Sequence, residues 1–458
     1  MDHMTSTQRS ALSIAVLTSF LGPFLISGVN IALPAIEKEF DLDAVALSWI
    51  VTSYLLSSAV FLLPIGKLAD IRGQKLVFKG GIIIFTIATA LCGVAQNGMM
   101  LILLRIVQGL GAAMTMTTGA PILVSVFPPS ERGKVLGMNV AAVYLGLSMG
   151  PFIGGILTQN FGWRSIFLFC VPLGIAAIVL VFFKLKSDAI TRTKGRIDHK
   201  GAFYYSAGLI AIVYSSSNLH KSFGWPLLLT GILLLILFIM QCKKSVYPIF
   251  EIPLFTRNRI FAFSNIAALI NYSATFSLVF LMSLFLQKIK GFTPQQAGTI
   301  LVAQPIVMTI LSPFAGKLSD RIEPRKLATA GMLISAIGLF LLAFIDQQTP
   351  VYLIVAVLML MGIGFGLFSS PNMNTIMSSV EKKQLGIASG ISATMRVVGQ
   401  MMSMMIATLI FSLYFSETHI AEVDNNLFVS SIRLLFTVSG LICLAGVYFS
   451  NGRGNLRI

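Results

Sequence analysis

The chain has 458 residues, 56% of them apolar and only 11% charged. A soluble domain carries about a quarter charged residues and a disordered chain is poor in apolar ones, so this composition excludes both. The net charge of +16 would suggest nucleic acid on a soluble protein, but here its distribution along the chain follows a membrane rule.

A helix needs about 20 apolar residues to cross about 30 Å of hydrocarbon. Fourteen stretches reach that length, over residues 11–33, 45–65, 76–95, 99–125, 134–157, 164–184, 201–217, 224–242, 260–286, 296–315, 327–346, 350–371, 387–413 and 430–450. The stretch at 201–217 is the weakest. An all-α integral membrane protein is expected, with short loops and no sizeable extramembrane domain. The first run follows Arg9 and continues to Ala35 without a small-residue cleavage site. It is longer than a signal-peptide core, and a retained helix is expected.

With a cytoplasmic N-terminus, fourteen crossings put 25 of the 33 cations in inner segments and five in outer ones. The remaining three, Arg105, Arg396 and Arg433, fall within spans. This is the positive-inside pattern. The charge therefore reports topology: both termini cytoplasmic in a cell membrane, and the lipid bilayer rather than nucleic acid as partner. Trp49, Trp163 and Trp225 land at outer span ends, where an indole buries its ring and keeps its N–H wet. Cys92, Cys170, Cys242 and Cys443 stand singly in apolar runs, so neither a disulfide framework, a metal site nor a cofactor is expected.

After the second span the chain reads Gly66-Lys67-Leu68-Ala69-Asp70-Ile71-Arg72-Gly73-Gln74-Lys75; after the tenth it reads Gly316-Lys317-Leu318-Ser319-Asp320-Arg321. A repeat of this kind, 250 residues apart, marks transporters built from two related halves with a substrate site between them. Six helices per half gives a first bundle over residues 1–190, a linker with two inserted helices over 191–245, and a second bundle over 246–458.

These residues resemble the signature loop of the major facilitator superfamily, and further motifs agree along nearly the whole chain. Arg105, Gln108, Gly109 and Gly111 are similar to its fourth-helix motif. Gly137, Gly146, Gly150, Pro151, Gly154 and Gly155 are similar to the fifth-helix pattern of drug exporters. Asn30 to Pro34, Gly162-Trp163-Arg164, Pro248 and Leu385 to Gly390 followed by Arg396 resemble the fourteen-helix drug:proton antiporter branch. The resemblance implies secondary export of small amphipathic, drug-like compounds by alternating access, with Asp70 and Arg72 in a latch between the halves. It also implies a central cavity lined by spans 1, 2, 4, 5 and their mirrors. Its polar candidates are Asn30, Tyr54, Arg105, Gln108, Asn139, Tyr144, Asn271, Tyr272, Gln304, Asn372, Asn374, Arg396 and Gln400. For each the alternative is an interhelical hydrogen bond.

Gly146, Gly150 and Gly154 lie four apart on one helix face, where a neighbouring helix can approach closely. That is either ordinary packing or, as the resemblance implies, a tight interface between halves. Arg105, about 9 Å inside its span, is costly unless paired or lining water.

Proton-coupled exporters need a titrating group within the membrane. All seventeen acids fall in loops, tails or span ends, and Leu25 occupies the place where the antiporter branch carries an aspartate. Arg105 cannot substitute, because a guanidinium does not lose its proton. If protons are partners, the acid lies near a mouth, with Asp346, Glu37 and Asp70 as options. Otherwise the chain is an exporter or facilitator of one endogenous metabolite or lipid-like molecule. A non-transporting sensor on the same fold is the alternative of another class. An enzyme is not expected, and the absence of GxxxxGK[ST] excludes an ATP-driven pump.

Overall fold

The computed structural model describes residues 5–128, 131–184, 196–381, 384–415 and 418–456, and it is helical throughout without a strand among them. The boundary expected at 190/191 lies outside the described residues, as do some of the counted charges, among them Lys186, Arg192, Lys382 and Lys383. In chain order the helices are α1 (Ser6–Phe40), α2 (Ala44–Arg72), α3 (Gln74–Cys92), α4 (Gly98–Val126), α5 (Arg132–Phe161), α6 (Arg164–Lys184), α7 (His199–Ser216), α8 (Gly224–Lys244) and α9 (Ile252–Arg257). They continue with α10 (Arg259–Thr275), α11 (Ser277–Leu284), a π-helical turn (Phe285–Ile289), α12 (Pro294–Leu301), α13 (Ala303–Ser319), α14 (Pro324–Leu342), α15 (Val351–Ser378), α16 (Leu385–Phe415) and α17 (Asn425–Gly452).

Thirteen stretches among the described residues are long and apolar enough to cross a membrane. The fourteenth expected span is α7, a helix of 18 residues that packs on α8 and α2. Two expected spans are broken helices. The tenth divides between α12 and α13 because Pro305 has no N–H for the Leu301 carbonyl. The ninth divides at Phe276, where the Ser277 N–H donates to Ser403 Oγ of α16 at 3.0 Å. Several acids that the sequence places outside the spans are helix caps: Asp43 accepts from Ala46 N–H, Asp198 from Gly201 N–H, and Asp424 from Asn426 and Leu427 N–H.

The internal repeat extends from sequence to packing. In the first six helices α1 packs on α5 and α6, and α4 on α2 and α3, with α3 on α6. In the last six spans α10 packs on α16 and α17, and α15 on α13 and α14, with α14 on α17. Each pair has its counterpart, so two pseudo-symmetric six-helix bundles flank the inserted α7 and α8.

The close contacts repeat as well. A methyl group added at Gly109 would stand 2.5 Å from the Tyr54 carbonyl oxygen, and at Gly362, 2.5 Å from that of Gln304. At Gly146 it would stand 2.5 Å from the Phe20 carbonyl oxygen, and at Gly399, 2.5 Å from that of Leu269. Backbone meets backbone at these points, which requires glycine. Gly146→Ala and Gly399→Ala should therefore each destabilise the protein by about 1–3 kcal/mol. Gly137→Ala and Gly390→Ala, where the methyl meets nothing within 4 Å, should be neutral or slightly stabilising through helix propensity. Thermal unfolding in detergent checks the contrast.

Candidate functional site

The site is defined by one face of α5. Gly137, Tyr144, Ser148 and Gly155 follow at intervals of seven, four and seven, so they share a helix face. A methyl group at Gly155 would lie 2.6 Å from the Pro294 carbonyl oxygen of the second bundle. Ser148 Oγ lies 3.2 Å from the Pro305 carbonyl, to which it donates, and 3.1 Å from Thr309 Oγ1. The Tyr144 hydroxyl meets Ser369 Oγ of α15. At Gly137, on the end that leads to the Lys- and Arg-rich loops, an added methyl would meet nothing within 4 Å.

Helix α16 repeats this pattern from the other side. Thr408 Oγ1 lies 2.9 Å from Ser48 Oγ of α2. Gly390, eighteen residues earlier on the same face, meets nothing within 4 Å, and neither does Gly386. The two bundles thus touch from one face of the protein to about mid-depth. Among the described residues, Gly137, Gly386 and Gly390 toward the basic face open onto free space, a hollow at that end.

The seal at the opposite face is polar and crosses between bundles. Ser283 Oγ donates to the Asn30 carbonyl at 2.8 Å and Gln287 Nε2 to that of Ile31 at 3.0 Å. Ala44 N–H donates to the Thr418 carbonyl at 3.2 Å. Glu37, only 7% exposed, accepts from Ala421 N–H at 3.0 Å, while within the second bundle Lys288 Nζ donates to the Ala421 carbonyl. His419 Nδ1 lies 3.0 Å from the Leu42 carbonyl and 3.8 Å from Asp41 Oδ1.

At the closed end of the hollow Tyr144 of α5, Tyr272 of α10, Ser369 of α15 and Arg396 of α16 come together. Arg396 and Ser369 are polar neighbours of the Tyr272 hydroxyl, and Phe365 sets its ring edge-on to Tyr272 with centroids 5.6 Å apart. Three expected cavity residues therefore meet. Ser369 and Phe365 were not anticipated, since Ser and Phe recur throughout the spans without a distinguishing pattern.

Tyr54, Arg105 and Gln108 also meet, but inside the first bundle. Arg105 is 0% exposed. Its Nε donates to the Ile50 carbonyl at 3.1 Å and its Nη1 to Gln108 Oε1 at 2.6 Å, and its guanidinium lies 4.4 Å from the Tyr54 ring centre. Gln108 donates onward to Thr89. Asn139 Oδ1 accepts from Ser19 at 2.7 Å. Asn30 and Asn271 are buried, and neither Asn30 Oδ1 nor the two amide atoms of Asn271 have a protein partner. Gln304 is half-buried beside Gly362 and Gln400 is buried on α16.

Asn372 and Asn374 do other work. Asn374 donates to Ser319 Oγ at 3.0 Å and to Asp320 Oδ1 at 3.4 Å, tying α15 to the second signature loop. Asn372 accepts from Arg453 Nη1 at 2.6 Å, and Arg453 also donates to Ser264 and Ser450. Sequence reasoning took Arg453 for a tail cation, whereas it is 1% exposed. The one available signal was Asn372 at the end of an apolar span, which needs a donor.

In the first signature loop Gly73 has φ +107°, a conformation that favours glycine. It joins α2 directly to α3. Asp70 accepts from Gln74 Nε2 at 2.8 Å and has Lys67 and Glu251 as charged neighbours. Gly146, Gly150 and Gly154 all face α1 within the first bundle, whereas Pro151 and Gly155 face α12 of the second. The fifth-helix motif is thus split between packing inside one bundle and contact between bundles.

The sequence model of the Major Facilitator Superfamily matches residues 15–264 and 264–455, and the chain belongs to that family of membrane transporters. It is 32% identical over 410 residues to the riboflavin transporter RibZ of Clostridioides difficile (strain 630), covering 89% of this chain and 88% of that one. It is 29% identical over 416 residues to the multidrug resistance protein Stp of Mycobacterium tuberculosis, covering 88% and 77%. Two solved structures share the fold. The human organic anion transporter MFSD10 matches with a TM-score of 0.66 at 12% identity, covering 97% of this chain and 99% of that one. A bacterial homolog of the human lysosomal transporter Spinster matches with a TM-score of 0.69 at 15% identity, covering 98% and 97%.

The seal should respond to charge and to pH. Glu37→Gln keeps the shape but replaces charge-assisted bonds, which are about twice as strong as neutral ones. It should raise maleimide labelling of a cysteine placed at Asn30. The Leu42 carbonyl first, then Asp41, Glu422 and Glu37, hold the His419 imidazolium above its ordinary range. Its contribution to closure is therefore complete below pH about 6.5 and lost as pH rises through the raised value. Labelling should climb on going from pH 6 to pH 9, and His419→Gln should flatten that climb.

Proposed function

We propose that this transporter exports small amphipathic organic compounds by alternating access. The positive-inside rule places the basic face, and with it both termini, on the cytoplasmic side of the plasma membrane. The hollow is then open inward, ready to take substrate from the cytoplasm. One observation carries this reading: the same faces of α5 and α16 touch at one end and part at the other. Rocking the bundles about their mid-depth contact would break the outer seal and bring Gly137, Gly386 and Gly390 against the opposite bundle. The names of multidrug, methylenomycin A resistance and cephamycin export relatives support the drug-like class. The 32% identity to a riboflavin transporter favours a second reading, a single planar metabolite as natural cargo.

Proton coupling through a mid-membrane carboxylate has no support among the described spans. Of the three acids near a mouth, Asp346 lies exposed in the turn before α15, where it bonds Thr349 and Gln348. Asp70 sits at the basic face. Glu37 bonds across the bundles and exchanges its partners whenever they part, which makes it the acid most directly linked to alternation.

The test locks the outer seal. With Ser48→Cys and Thr408→Cys together, oxidative cross-linking should abolish riboflavin and ethidium flux in proteoliposomes, and a reductant should restore it. The native Cys92, Cys170, Cys242 and Cys443 are all buried, so the engineered pair dominates. Undiminished flux after complete cross-linking would rule out alternating access.

A further inference from the structure

We infer that Arg396, with Tyr272, Tyr144 and Ser369, forms an anion-accepting subsite at the closed end of the hollow, and that the cargo is a flat aromatic compound bearing a carboxylate or similar anionic group. The inference rests on the export reading and adds the substrate class to it.

Arg396 lies eleven residues into α16, about 17 Å along the axis at 1.5 Å per residue. Tyr144 is twelve residues into α5 and Tyr272 thirteen into α10, so all three meet near mid-depth. Arg396 is half-buried and has a tyrosine neighbour from each bundle, Tyr144 and Tyr272. No carboxylate among the described residues pairs with it. The buried carboxylates there are Glu37 and Asp198, one at the outer seal and the other capping α7.

A guanidinium at this depth is expensive unless it is paired or faces water, and its charge is permanent. Arg105 meets that cost with the Ile50 carbonyl, Gln108 and the Tyr54 ring, and is closed to the hollow. Arg396 has no such shell: it is half-buried beside the Tyr272 hydroxyl, with no carbonyl or amide among the described residues folded onto it. Both cations raise the potential in a low-dielectric hollow without an acid to offset them. The planar guanidinium fork takes a carboxylate through two parallel hydrogen bonds. The Tyr272 and Phe365 rings, 71° apart, form an aromatic corner for a flat ring system.

The same geometry links binding to movement. Tyr144 and Ser369 tie α5 to α15 across the bundles. An anionic oxygen reaching the subsite competes for those two hydroxyl protons, loosening a mid-depth contact that holds the present arrangement.

Three probes sharing one ring system test the inference: 2-naphthoate, 2-naphthalenemethanol and 2-naphthylmethylammonium, titrated by fluorescence against the intact protein in nanodiscs. Naphthoate should bind at least ten-fold tighter than the ammonium compound. Arg396→Gln should weaken naphthoate about ten-fold and leave the alcohol within two-fold, with Arg396→Lys intermediate. Unchanged thermal unfolding of the variants separates lost recognition from lost structure. Should a variant fail to fold, competition by chloride and benzoate on the wild type gives the second measurement, with benzoate displacing naphthoate and chloride doing so weakly. Equal or tighter binding of the ammonium compound, or no naphthoate binding to the folded wild type, overturns the inference. If naphthoate preference holds while the cross-linking test fails, the export reading falls and the subsite stands. Cation-selective flux that cross-linking blocks gives the converse.

Discussion

In a bilayer the surrounding lipid tails are as apolar as leucine, so helices gain little by hiding apolar side chains from them, and association depends on close packing. The structure is organised around that constraint. At Gly109, Gly146, Gly362 and Gly399 the backbone of one helix rests on a carbonyl of another, and these contacts occur inside bundles in matched positions. Each bundle is consequently a stiff body. What remains between bundles is the approach of α5 to α12 at Gly155 and a set of polar contacts, concentrated at one face and ending near mid-depth.

This division of labour makes a rocking mechanism physically reasonable. Contacts within a bundle are backbone against backbone and lose heavily on separation. Between bundles the backbones meet closely where Gly155 and Pro151 face α12, and the other contacts are hydroxyl pairs, carbonyls and the Glu37 carboxylate, which water can satisfy when the seal opens. Opening therefore exchanges one set of hydrogen bonds for another rather than leaving buried groups unmet. The broken ninth and tenth spans lie along this seam, where a continuous α-helix would hold the chain straight. Polar groups freed by the breaks find partners in neighbouring helices, as Ser277 finds Ser403.

Much of this was legible in the sequence because a bilayer leaves few choices. Span lengths, the alternating cations and the GKL repeat follow from chain-local rules, and they led to the helix order and the two-bundle plan. Tyr144, Tyr272 and Arg396 were legible as polar groups at odds with their surroundings. Residues whose meaning depends on a distant partner were not. Arg453 stands after the last helix and reads as a tail cation until Asn372, 81 positions away, is seen to accept from it. Arg105 and Arg396 look equivalent in a one-dimensional count, yet one is enclosed and the other is half-buried, because only the first has a carbonyl, an amide and a ring folded around it.

The glycine motif of α5 shows the same limit at finer grain. Its spacing implies close approach, but spacing does not say by which helix; Gly146, Gly150 and Gly154 turn to α1 while Gly155 turns to α12. Sequence alone determined that this chain crosses a membrane, in two related halves and without a mid-depth acid, because hydrocarbon thickness and charge cost act on each segment separately. Which ends of the bundles touch, and which cation is fully enclosed, were decided only by tertiary structure, because both depend on how helices far apart in the chain pack against each other.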